Sequence, residues 1–197
     1  MKNILFSGNV KVFDGMLTCM LSIFKRTNSK EPYNFYIFTM DVSHIKQGYI
    51  PVSDKQVEFL QQIAKDYNPD NLVTKIDVTD IYMEEFDNCP NENAYCSPYT
   101  LLRLFADKIP EIPDKLLYLD VDILFNREPE LLYDVDVEGY EYAAARDHYG
   151  KYLLNPNYIN AGVLLFNMKE IRKTGLFEKA RHLIKTKKML FADQDAV

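Results

Sequence analysis

The residues with chemical potential are acidic. Asp120-Val121-Asp122 closes a strongly apolar run, Lys115-Leu116-Leu117-Tyr118-Leu119. On an extended chain residues i and i+2 point to the same side, so two carboxylates at that spacing can share one divalent cation. An all-oxygen donor pair suits Mg²⁺ or Mn²⁺, ions that commonly bridge carboxylates to substrate phosphates. An apolar strand should not end in two carboxylates unless something positive meets them. A lone Asp-x-Asp is common in acidic chains, so its surroundings must decide. Two more polar points follow apolar runs: Ser7-Gly8-Asn9 after Ile4 to Phe6, and Asn167 after Ile159 to Phe166.

Positioning such groups falls to an alternation of strands and helices. Asn3 to Ser7, Phe35 to Thr39, Leu72 to Val78, Lys115 to Leu119, Tyr142 to Ala145 and Ile159 to Phe166 read as strands. Between them, Met16, Leu17, Met20, Leu21 and Phe24 keep helical spacing behind Asp14 as cap. Ser53 and Gln56 form a capping box ahead of Val57, Leu60, Ala64 and Tyr67. Ser97-Pro98 opens a helix carrying Leu101, Leu102, Leu104, Phe105 and Ile109. Thr79 starts a short helix, and Ile171 to Lys188 is expected to be one helix, basic on one side. This order predicts an α/β fold: a mixed, mostly parallel sheet with helices on both faces. In such a sheet ligands bind outside the carboxyl ends of the strands. Ser7, Asp120 and Asn167 are all expected there.

The bulk numbers fit one domain over residues 1–197. The chain is 47% apolar with 7 Gly and 9 Pro, which argues against disorder and low-complexity classes. A net charge of −6 argues against nucleic acid as a partner. Charge is uneven: Glu111 to Glu141 holds ten acids and two bases, whereas Lys169 to Lys188 holds eight bases and two acids. The basic stretch is read as a solvated helix face, with peripheral contact to an anionic membrane as the alternative. No apolar run approaches the roughly 18–20 residues of a membrane span. Cys19, Cys89 and Cys96 lack metal-ligand spacing and suit free thiols in a reducing cytoplasm. Cys19 is expected to be buried and inert. His44, His148 and His182 share no ligand spacing either.

Several blocks, in order, resemble glycosyltransferase family 8. Lys115 to Asp122 is similar to the family's K-x-L-Y-L-D-x-D block. Tyr158-Ile159-Asn160-Ala161-Gly162-Val163-Leu164-Leu165-Phe166-Asn167 is similar to its F-N-A-G-V-L-L-I-N block. Asp193-Gln194-Asp195 matches its D-Q-D block. The resemblance spans nearly the whole chain and implies a GT-A fold, a Rossmann-like sheet that binds a nucleotide-sugar. It implies that Asp120 and Asp122 hold Mn²⁺ or Mg²⁺ against the donor pyrophosphate, with Val121 between them at the donor. Arg103 would contact the diphosphate or donor sugar, work suited to its forked guanidinium. Asp147 would orient sugar hydroxyls, and Asn160 and Ala161 would lie beside the sugar. Phe6, Ser7 and Asn9 match the nucleoside-binding loop. Asp193 would bond the sugar, and Gln194 would sit at the anomeric carbon.

The implied reaction is retaining transfer of glucose or galactose from a UDP-sugar to a saccharide or lipid-linked hydroxyl, as in lipopolysaccharide assembly. A neutral amide is a poor nucleophile, so same-face attack with the UDP phosphate as base is favoured over a Gln194 adduct. Two departures stand out. Val12 occupies the place of a tyrosine that packs on uracil, and the chain stops before the block that supplies a metal-binding histidine. The alternative is therefore a nucleotide-sugar-binding fragment or pseudoenzyme. Each assignment also has a structural competitor: Arg103 pairing with a core acid, Asp147 capping a turn, Asn160 bonding strand backbone, and Asp193 capping a helix.

Overall fold

In the computed structural model, residues 1–91, 97–153 and 155–188 are described. Asp193, Gln194 and Cys96 lie outside them. Six strands form one sheet: β1 (Lys2–Ser7), β2 (Tyr33–Thr39), β3 (Leu72–Asp77), β4 (Lys115–Leu119), β5 (Tyr142–Arg146) and β6 (Ile159–Asn167). Their order is β3-β2-β1-β4-β6-β5. The first four run parallel, and β6 is antiparallel to both β4 and β5. The central strands are apolar on both faces, as burial under two helical layers demands; β2 is buried at every position.

One face carries α1 (Phe13–Arg26) and α2 (Asp54–Tyr67), packed through Met16, Met20, Ile23, Phe24, Leu60 and Ala64 onto Ile4, Phe6 and Phe35. The expected Ser53–Gln56 capping box is present. The other face carries α3 (Thr79–Phe86), a 3-10 helix (Pro98–Phe105) and the C-terminal helices, around Phe38, Tyr82, Phe86, Phe105, Phe166 and Phe177. Two short helices, α4 (Glu130–Tyr133) and α5 (Gly150–Leu153), complete the elements before the C-terminal pair.

Three expectations need correction. Asn167 does not join the other strand ends, because β6 runs against β4: Asn167 pairs with Lys115 at the opposite edge. There its side chain caps α6 (Met168–Thr174), accepting from Glu170 N. The same reversal brings the start of β6, Asn160-Ala161, to the carboxyl edge. The basic stretch is not one helix: Gly175 adopts φ +67°, closes α6 and opens α7 (Leu176–Thr186). Finally, the segment after Ser97 is 3-10 rather than α. The Arg103 Nε–H donates to Thr100 O, a carbonyl that an α-helix would offer to the amide of residue 104.

Candidate active site

The sheet changes direction of growth between β1 and β4. β1 pairs with β2 on one side and β4 on the other, so their carboxyl ends splay apart into a crevice, the usual ligand position in open α/β sheets. A cleft of about 230 Å³ lies there. Ser7, Gly8, Asn9 and Val12 line it from the β1 side, and Tyr118, Asp120, Val121 and Asp122 from β4. Ser97, Tyr99 and Thr100 complete the wall.

β4 ends at Leu119, and Val121-Asp122 turn away from the strand line. The two carboxylates therefore meet the cleft from a turn, not from the extended chain expected. Asp120 is the more firmly held. Its Oδ1 accepts from Tyr118 Oη at 2.6 Å and lies 3.8 Å from Arg103 Nη2. Its backbone N–H donates to Gly162 O at 2.8 Å. A Cβ built on Gly162 would stand 2.8 Å from Asp120 Oδ2 and 3.2 Å from Asn160 Oδ1, so any larger residue would push these two side chains out of their present places. Gly15 on α1 plays a similar part against the Val121 carbonyl, which a Cβ would approach to 2.7 Å. Asp122 is exposed at the rim.

Arg103 is buried, stacks 4.0 Å above the Tyr118 ring and donates to the Ala161 carbonyl. The pairing with an acid foreseen as its structural role is thus real, and the acid is Asp120 of the site itself. Asn160 Oδ1 accepts from Gly162 N, and the Asp147 backbone N–H donates to Tyr158 O at 2.9 Å. Asp147 Oδ1 also accepts from the amides of Tyr149 and Gly150. The Gly150 bond leads in holding the Asp147 carboxyl below its ordinary range. Asp147 is therefore a cap, tied through its backbone to Tyr158 at the entry to the strand that carries Asn160 and Gly162.

Two nucleoside-side expectations change. The Phe6 ring is fully buried and stacks on Phe35, so its side chain belongs to the core and not to the cleft. Asn9 lines the cleft, but its Oδ1 accepts from Lys11 N, capping the 3-10 turn Val10–Val12. Ser7 lines the cleft, although its Oγ is buried away from the opening and has no hydrogen-bond partner. Tyr99 is a wall residue that sequence reasoning passed over. Its hydroxyl donates to Met40 O, and burial pushes it well above the ordinary phenol range. Tyr118 was also missed, although its place two residues before Asp120 on a strand puts the two on one face.

Two carboxylates offer a hard, all-oxygen donor set, which fits Mg²⁺ or Mn²⁺ sharing its remaining positions with phosphate and water. Among the described residues, no three His, Cys, Asp or Glu side chains cluster to hold a metal by themselves.

A crevice of this kind at the β1/β4 switch point defines an open α/β domain that takes its ligand outside the carboxyl ends of its strands. The chain belongs to a particular branch of that class: the family described as Glycosyl transferase family 8, whose profile matches residues 3–197. A Haemophilus influenzae protein assigned as a glycosyltransferase is 28% identical over 205 residues, covering 98% of this chain and 57% of that protein. Glycosyltransferase GlyA of Streptococcus pneumoniae is 34% identical over 109 residues, 49% of this chain and 15% of GlyA. The chain thus spans little more than half the length of the Haemophilus relative. Among solved structures, the galactosyltransferase LgtC, in complex with donor and acceptor sugar analogues, superposes with a TM-score of 0.79 at 21% identity. That match covers 98% of this chain and 68% of LgtC, and it supports the GT-A type of fold.

Proposed function

We propose that the chain transfers a hexose from a UDP-sugar to a saccharide or lipid-linked hydroxyl with retention at the anomeric carbon. The observation that carries this reading is the Asp120-Val121-Asp122 turn at the β1/β4 crevice, with Asp120 fixed by Tyr118, Gly162 and Arg103. Asp120 and Asp122 would hold Mn²⁺ or Mg²⁺. Such an ion, when bound, offsets negative charge growing on a departing diphosphate. The chain's own groups do the rest. Ser7 and Asn9 line the end of the cleft assigned to a nucleoside, Val12 and Tyr99 form apolar walls, and Asp147 and Asn160 stand where sugar hydroxyls would be oriented. Arg103, stacked and bonded in place, puts a fixed positive charge beside Asp120 without cost of reorganisation during reaction. Asp193 and Gln194 keep their assigned roles as expectations from the family resemblance, with same-face attack preferred over a covalent adduct.

A second reading, a nucleotide-sugar binder with little turnover, is favoured by the want of a third metal-holding side chain among the described residues. Thermal unfolding with UDP, Mn²⁺ and both tests binding: the joint shift should exceed the sum of the separate shifts. No shift under any condition sinks both readings. Release of UDP from UDP-glucose or UDP-galactose with Mn²⁺, stimulated by an acceptor, then separates enzyme from binder.

A further inference from the structure

Among the described residues the three most exposed large apolar side chains are neighbours: Tyr149 at 73%, Tyr152 at 77% and Leu153 at 79%. His148 stands edge-on to both rings, at 5.1 Å from Tyr149 and 6.3 Å from Tyr152. Lys151 Nζ lies 4.9 Å from the Tyr152 ring centre. Exposed apolar clusters rimmed by polar groups mark interaction sites. This one is also held still. Asp147 caps α5, and Asn155 N donates to Gly150 O. Gly150 abuts Tyr158 so closely that a Cβ would come within 2.2 Å of the ring. Aromatic groups presented on a pinned turn bind without a large ordering cost.

The platform is continuous with the cleft. The N–H of Asp147, which caps it, donates to Tyr158 O, two residues before Asn160, and Asn160 Oδ1 accepts from the Gly162 N–H beside Asp120. A ligand on Tyr149 and Tyr152 therefore lies next to the groups placed around the donor sugar. We infer that His148, Tyr149 and Tyr152 form a subsite that stacks the apolar C–H face of an acceptor saccharide, with Lys151 as a hydroxyl donor at its edge. This rests on the transferase reading above. A tyrosine ring suits the task because its body is apolar and its hydroxyl is wet. A lipid surface fits less well: residues 146–153 hold two bases (Arg146, Lys151) against one acid (Asp147), well short of the roughly four to eight clustered bases that draw a surface to an anionic membrane.

The test uses the full chain, saturating UDP with Mn²⁺, and a panel of free disaccharides (lactose, maltose, cellobiose) observed by saturation-transfer NMR. At least one disaccharide should bind the wild type, and Tyr149→Ala/Tyr152→Ala should weaken it at least tenfold. Tyr152→Phe should bind within about threefold of wild type. Tyr140→Ala, at a tyrosine 69% exposed elsewhere, should leave binding intact. The proposal is overturned if no disaccharide binds wild type, if the double variant binds normally, or if that variant instead loses sedimentation with phosphatidylglycerol vesicles. The UDP and Mn²⁺ unfolding shifts of wild type are read separately: their absence defeats the donor-site reading, whereas their presence without saccharide binding defeats the platform alone.

Discussion

Asp120 owes its place to Tyr118 and Gly162, and each yields a distinct variant. Tyr118→Phe removes the hydrogen bond to Oδ1 and leaves the ring under Arg103. A net hydrogen bond is worth about 1 kcal/mol, so UDP–Mn²⁺ affinity should fall roughly three- to tenfold with little change in Tm. Isothermal titration checks both. Gly162→Ala brings a methyl within 2.8 Å of Asp120 Oδ2, so the carboxylate must turn aside from its place under Tyr118. That variant should weaken UDP–Mn²⁺ binding with little change in Tm. Cys19 gives a test of burial: its thiol is pushed up to about 12 by desolvation, with Asp122 adding to the effect. It should stay unalkylated by iodoacetamide at pH 8 in the native state and react once the protein is unfolded. Peptide mass spectrometry separates the two outcomes. At this scale the sequence showed the two acids, because their spacing is local. It did not show Gly162, whose need arises only when β6 lies against β4 in one register.

Elements decide how Arg103 is presented. On α7, Arg181 reaches the 3-10 helix one residue further on: it donates to Leu104 O and grips Asp107 with both arms, at 2.6 and 3.1 Å. Both partners are largely buried. Removing one partner strands the other's charge, a loss of about 3–5 kcal/mol. Arg181→Ala should therefore lower Tm by roughly 10 °C. It should also weaken UDP–Mn²⁺ binding, although Arg181 does not line the cleft. Nearby Glu85 on α3 takes hydrogen bonds from Lys108 and Lys185. Burial works against its charge, but those two lysines prevail and hold its carboxyl below the ordinary range. Its contribution is whole above about pH 4.5, the unperturbed value, and disappears as pH falls through the lowered folded value. The Tm gap between wild type and Glu85→Gln should be widest near neutrality and close on acidification. The alternation of strands and helices, the capping box and the helix start at Ser97 were all legible as local patterns. The direction of β6 was not, since an apolar run reads the same both ways. Nor was the 3-10 form of the Ser97 segment, which depends on where one guanidinium finds its acceptors.

At the scale of the whole molecule, net charge sets the terms of binding. The chain carries −6, and two of its acids face the crevice where a diphosphate is proposed to lie. Arg103 already shares its charge with Asp120, so the crevice by itself offers a diphosphate little net attraction. Uridine, which has no phosphate, feels none of this and meets the uncharged wall of the cleft, with Ser7, Asn9, Val12 and Tyr99. Binding of the two ligands should therefore respond differently to a chelator. In EDTA, UDP affinity should fall at least tenfold, and uridine affinity should stay within about twofold. Adding Mn²⁺ should restore UDP binding and leave uridine unchanged, because only the diphosphate gains from a cation between it and the carboxylates. UDP binding that ignores EDTA would mean that Arg103 and backbone amides suffice, and that Asp120 and Asp122 serve the sugar instead of a metal. Equal loss of uridine and UDP would point to a cation that shapes the loop itself. Titration of both ligands, with and without EDTA, distinguishes these outcomes without any acceptor present.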